Sequence, residues 1–188
     1  MALTKVTSDL IEDGTIVNVD INASAAIDGS KISGSFGKVL QVVSSHKSDT
    51  ATTTSATFVT TGLEVSITPS ATSSKILIIA TPSISGYAGT NGWGICLLRD
   101  TTEINLGDAD SNLSRYGANG RNDAQYETIV MAMTYLDSPS STSSITYKVA
   151  YRNGSGTQSL YINRPNTTVD NSSYGTSSST ITVMEIGA

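Results

Sequence analysis

The sequence predicts an all-β protein, and three observations carry that reading. Ser and Thr supply roughly three residues in ten, well above their usual share, whereas charged residues supply only 14%. Thr favours strands, and Ser suits turns and loops. The strong helix formers Ala, Leu, Glu and Lys dominate no long window. From residue 38 onward, short apolar segments alternate with period two between turn clusters, at the spacing of a sandwich or barrel.

The elements follow in order. "VLQVV" at Val39–Val43 is a first strand. In "TFVTTGLEVSITP" Phe58 and Thr60 oppose Val59, and Leu63, Val65 and Ile67 share one face. "SKILIIATPSIS" reads as one strand apolar enough to be buried on both faces. "GWGICLLRD" and "TEINLG" read as a pair joined at Asp100–Thr101. "YETIVMAMTYLD" sets Ile129, Met131, Met133 and Tyr135 against Thr128, Val130, Ala132 and Thr134. "SSITYKVAYRN" sets Ile145, Tyr147, Val149 and Tyr151 against Thr146, Lys148 and Ala150. "TQSLYINR" follows, and "STITVMEIGA" places Glu185 on the face of Ile181 and Val183. Two long loops interrupt the pattern, Gly107–Ala124 and Pro165–Ser179.

Residues 1–37 differ from this domain at 38–188. Isolated isoleucines, Ile11, Ile16, Ile21, Ile27 and Ile32, are separated by Asp, Asn, Gly and Ser. They are too sparse for a private core, and their backbone groups need partners. Three copies around an axis change that count, because each isoleucine then meets two symmetry mates. The segment is therefore expected to be an extended, interlaced stem for attachment and trimerisation.

Charge and composition exclude several classes. The net charge is −5, with no Lys/Arg run, so no nucleic-acid partner is expected. The longest apolar run, Ile76–Ala80, is too short to span a bilayer, so no membrane insertion is expected. "MALTKVTSDL" lacks the apolar region of a signal peptide. The single Cys96 excludes an internal disulfide framework.

Three phrases in sequence order carry a resemblance. They are "SATFVTTGLEVSITPSATSSKILIIATPSISG", "YLDSPSSTSSITYKVAYRNGSGTQSLYINR" and the terminal "STITVMEIGA". Together they resemble the C-terminal domain of phage tail-fibre and related virion proteins of cyanophages and other marine phages. "MALTKVTSDLIEDGTI" and "DINASAAIDGSKISG" are similar to the N-terminal shafts of such fibres. The strand plan also resembles the jelly-roll head of C1q- and tumour-necrosis-factor-like trimers. The resemblance implies a homotrimer located in the virion. It would contact other virion proteins through its stem and a host-surface ligand, a glycan, through its jelly-roll-like head. The alternative is a capsid decoration or head-fibre protein with the same trimeric head, anchored to the shell by its N-terminus.

No catalytic constellation accompanies these features, so a binding protein is expected rather than an enzyme, with no cofactor. "DADSN" at Asp108–Asn112 begins like a Ca²⁺ loop, but Leu113 stands where the sharp turn needs Gly and Asn119 where a bidentate Glu belongs. A solvated loop is the better reading, and no metal site is assigned. Asp108, Asp110, Asp123 and Glu127 cluster in sequence without a long groove for polysaccharide cleavage. His46, the sole histidine, is expected at the surface or an interface, and it cannot build a triad or a multi-His zinc site unaided. Cys96 is read as a small buried thiol and Trp93 as core packing. Aromatic rings on long loops can stack on sugar faces. Tyr87, Tyr116 and Tyr174, with Arg115 beside Tyr116, are therefore the candidate ligand residues. Arg115, Arg121 and Arg164 are otherwise placed at the surface or in acidic pairs across a subunit interface.

Overall fold

In the computed structural model of the chain, the described residues are 38–86, 92–120, 126–154, 156–167, 172 and 174–187, all within the unit Phe36–Ala188. The five stem isoleucines lie outside them, as do Tyr87, Arg121 and Asp123.

The described chain is all-β, with antiparallel sheets packed as a sandwich. Its strands are β1 (Val39–Lys47), β2 (Ala51–Thr53), β3 (Val59–Ile67), β4 (Lys75–Thr81), β5 (Ser83–Gly86), β6 (Trp93–Arg99) and β7 (Thr102–Ile104). They continue as β8 (Ala118–Gly120), β9 (Ile129–Val130), β10 (Met133–Asp137), β11 (Ile145–Asn153), β12 (Leu160–Ile162) and β13 (Ser179–Ile186). One sheet has the order β1-β13-β4-β10, and a second has β3-β11-β6-β7, with β8 also on β6. A third, smaller sheet has the order β2-β12-β5-β9.

The predicted alternation places the core. Leu63, Val65 and Ile67 of β3 and Ile145, Tyr147, Val149 and Tyr151 of β11 are buried in the same cluster as Ile76 and Ile78 of β4 and Ile181 and Val183 of β13. Branched and aromatic side chains on one phase of each strand fill the space between sheets, and removing that area from water drives their packing. Asp100, at φ 55°, makes the β6–β7 turn at the predicted position.

Four expectations are corrected. First, β4 is not buried on both faces: Ile76, Ile78 and Ala80 are buried, whereas Ile79 is 37% exposed. The four-stranded sheet has one face on the core and one outward. Second, "SKILIIATPSIS" is two strands, because Pro82 has no N–H for the ladder. Third, "YETIVMAMTYLD" divides into β9 and β10 at the same level, where the Met131 N–H donates to the Pro82 carbonyl at 2.9 Å. Fourth, β1 runs on to Lys47, and the short strands β2 and β8 lie in segments read as connections. Consequently the small sheet continues the strand order of the larger four-stranded sheet. β2 follows β1, β5 follows β4, β9 precedes β10 and β12 precedes β13.

One polar link joins the two large sheets. Asp137 of β10 accepts from Arg99 Nη1 at 3.0 and 3.1 Å and from Tyr147 Oη at 2.7 Å. Burial, then the hydrogen bond to Asp137, raises the Tyr147 phenol well above its ordinary value. Asp137 is 5% exposed, while the Arg99 side chain keeps 30% of its exposure and can hydrate if left alone. Asp137→Ala should therefore cost about 2 kcal/mol, below the full penalty of a broken buried pair. Urea unfolding is the measurement, and an unchanged midpoint would show that the link contributes nothing.

Candidate functional site

The long loop after β7 folds back across the outward face of the β3-β11-β6-β7 sheet. Its path is set by backbone bonds: the Gly117 N–H donates to the Ile95 carbonyl at 2.8 Å, and the Gly107 N–H to the Tyr116 carbonyl at 3.1 Å. Along β6 the outward phase falls on Gly94 and Cys96, and Ala150 of β11 pairs with Cys96. Cys96 and Ala150 are fully buried although they point away from the core cluster. These small residues leave a depression in the sheet. At Gly94 the space is taken by the Tyr116 ring, since a Cβ there would lie 2.1 Å from Tyr116 Cδ1. The absence of a side chain at Gly94 is thus what seats Tyr116.

Arg152, paired with Gly94 across the strands, carries the next layer. Its guanidinium carbon lies 4.8 Å from the Tyr116 ring centre and 4.9 Å from the Phe58 ring centre. The two rings meet edge to face at 6.1 Å. Such contacts orient the guanidinium plane. Beside this cluster opens a cleft of about 400 Å³ lined by Arg152, Phe58, Glu103, Leu106, Leu113 and Arg115, among others. Arg115 is held by a 2.6 Å bond from its Nε to the Gly107 carbonyl. Leu113 is 70% exposed on the rim.

The charges in this cleft are two guanidinium groups and one carboxylate, within a chain of net charge −5. Among the described residues neither arginine forms an ion pair. Arg152 Nη1 has one long bond, 3.4 Å to the Ala56 carbonyl, and its buried Nε has no acceptor among the described residues. The Cys96 thiol is pushed up to about 12 by burial and then by Glu103, against the opposing Arg152. It stays protonated near neutrality and is a poor nucleophile.

The predicted ligand residues separate. Arg115 lines the cleft, and Tyr116 lies beside it against Arg152. Tyr174 instead stacks on Tyr126, ring centres 4.5 Å apart, with the rings 37% and 43% exposed. Trp93 is fully buried in the core, and His46 is exposed on β1. Arg164 lies over the Tyr161 ring at 4.1 Å. Asp108 and Asp110 are exposed, and the Leu113 N–H closes a turn onto the Asp110 carbonyl at 2.9 Å.

Phe58, Glu103, Leu106, Leu113 and Arg152 were not singled out from the sequence. Phe58 and Arg152 did carry a signal: Arg152 lies on the outward phase of β11 and Phe58 immediately precedes β3, where a long cation and a large ring need a reason. Their juxtaposition depends on β3–β11 pairing, which strand periodicity does not encode.

A second surface is on the opposite sheet. Val42 pairs with Met184, Met184 with Leu77, and Leu77 with Leu136, so one apolar row crosses all four strands on the outward face. Val42 is 56% exposed and Leu136 49%. The neighbouring row is Ser44, Thr182, Ile79 and Thr134, with Ser44 and Thr182 hydroxyls 2.9 Å apart. No carboxylate belongs to either row.

No protein-family model matches this chain, and no curated protein matches it.

Proposed function

We propose that the chain is a virion structural protein of the short tail-fibre kind. It would be a homotrimer whose head binds a host-surface glycan without catalysing a reaction. The phage assignment rests on the ordered phrases quoted from the sequence. The single structural observation that carries the assembly part is the apolar row Val42–Met184–Leu77–Leu136. A chain of net charge −5 repels its own copies, and this face offers them apolar contact without opposed carboxylates. The strand orders β1-β13-β4-β10 and β3-β11-β6-β7 support the finer reading of the sandwich as a jelly roll. The loop after β7 and the cleft lie on the β3-β11-β6-β7 sheet, which leaves them accessible when copies associate through the apolar row.

Sedimentation of the full chain tests the assembly. The expected mass is three times the 19.5 kDa chain. Leu77→Glu with Leu136→Glu places repelling charge on the row and should weaken association at least about tenfold while the β circular-dichroism spectrum is kept. A wild-type monomer would remove the trimer. A variant that stays trimeric at all concentrations would show that the head face does not hold the copies together.

A further inference from the structure

We propose that the cleft beside Arg152 and Arg115 binds the carboxylate of an acidic sugar, a uronic acid unit in an anionic polysaccharide. This rests on the glycan-binding reading and narrows it to a ligand class.

Three features point there. The guanidinium carbon of Arg152 lies within 5 Å of the ring centres of both Phe58 and Tyr116. An arginine held this way is pre-organised for a planar, two-oxygen partner, because its fork matches a carboxylate. Its sole described acceptor is the distant Ala56 carbonyl. Hydrogen-bonding capacity is therefore left over at a position where packing alone would be met by a neutral side chain. Arg115 adds a second cation on the loop side of the same cleft.

The remaining lining fits the rest of a sugar. Leu106, Leu113 and Phe58 offer apolar surface to the C–H face of a pyranose, and Glu103 can accept from ring hydroxyls. The carboxylate of Glu103 also disfavours a bare multivalent anion, since one of three charges in the cleft is negative. A volume of about 400 Å³ admits one or two sugar units and not a long chain.

The test is titration of the intact protein, followed by calorimetry, with tetragalacturonate, tetramannuronate, the methyl ester of tetragalacturonate, maltotetraose and inorganic sulfate. At least one uronate should bind, and its binding should fall about tenfold or more in Arg115→Gln, an exposed position whose loss leaves the sheet intact. Arg152→Lys should weaken it comparably, because a point charge replaces the fork. Arg152→Gln is the harsher form, with the circular-dichroism spectrum as its folding control. Equal binding of acid and ester, or binding indifferent to Arg115, overturns the acidic-sugar assignment and leaves the glycan-binding head standing. Equal binding of sulfate replaces the sugar with a simple anion and overturns the proposal. Binding of no saccharide at all removes both the proposal and the glycan reading.

Discussion

Glu185→Ala should lower the stability of the domain by about 4 kcal/mol near neutral pH, among the largest effects available from one side chain. Glu185 is fully buried on β13 yet carries a carboxylate. One oxygen, Oε1, accepts from the Ser70 N–H at 2.7 Å, the Ser70 hydroxyl at 2.6 Å and the Ser74 hydroxyl at 2.7 Å. The other, Oε2, accepts from Gln41 Nε2 at 2.6 Å. Burial alone would raise its pKa, but the hydrogen bonds from Ser70, Gln41 and Ser74 outweigh it and hold the group down at about 2. The carboxylate thus fastens the β3–β4 connection and β1 to the last strand. Truncation leaves all four donors without that acceptor. Glu185→Gln should cost about half as much. The three serine bonds survive, but the new amide nitrogen meets the Gln41 amide nitrogen. Turning the Gln41 amide over would repair that contact and lose its bond to the Thr68 carbonyl at 2.8 Å.

The same group predicts an acid limb. Its folded pKa, about 2, lies below the ordinary 4.5, so the unfolded chain takes up the proton first as pH falls. The stabilisation is complete above the ordinary value. It declines as pH drops from 4.5 toward 2 and is gone below the folded pKa. Denaturant unfolding of wild type and Glu185→Gln across that window should converge as pH falls. Curves that stay parallel from pH 7 to pH 2 would show that the Glu185 carboxylate is not held ionised by its four donors.

The sequence showed where this carboxylate points but not what it does. Period-two alternation assigned Glu185 to the face of Ile181 and Val183, and that placement is correct. Its donors, Gln41, Ser70 and Ser74, are remote in sequence, and two of them sit in a Ser-rich connection that resembles any turn. Strands β3, β11 and β13 were legible for the same reason that β4 was not. Polar residues mark most of the solvent phase in the first three, Ala150 and Met184 aside, whereas β4 has Leu77 and Ile79 on its outward phase, so its composition imitates a strand covered on both sides. That misreading is informative, because those two residues contribute to the surface proposed for self-association. At the cleft, loop position points to Arg115, which lines it, and to Tyr116 beside it. Arg152 and Phe58 required the register of two strands, which only tertiary pairing supplies. Tyr174 follows from the same loop argument and stacks on Tyr126 away from the cleft, since a loop position says nothing about which neighbour a ring will find.

Asn163→Ala should cost about 3–4 kcal/mol, although Asn163 sits in "YINR" and reads as an ordinary strand terminus. It occupies the seam where the strands of the four-stranded sheet give way to those of the small sheet. There Pro82 and the gap between β9 and β10 interrupt the ladder, and side chains must satisfy the backbone in its place. The Asn163 amide nitrogen donates to the carbonyls of Lys47 and Asp49, each at 2.9 Å, fixing the β1–β2 connection. Its amide oxygen accepts from the Ser179 hydroxyl at the start of β13, and that hydroxyl accepts from the Ser83 N–H at 2.9 Å. Its own N–H donates to the Ser83 carbonyl at 2.9 Å, and its carbonyl accepts from the Ser177 N–H at 3.0 Å. The residue is fully buried and lies at φ 64°, a left-handed conformation that Asn tolerates better than Ala. Alanine therefore removes the side-chain partner of the Lys47 and Asp49 carbonyls and of the Ser179 hydroxyl, and adds about 1 kcal/mol of backbone strain. Asn163→Gly loses the same side-chain bonds without that strain, so it should be less destabilised than Asn163→Ala. Thermal and urea unfolding of the two variants measures both contributions. An alanine variant within about 1 kcal/mol of wild type would mean that the seam is held by backbone pairing alone.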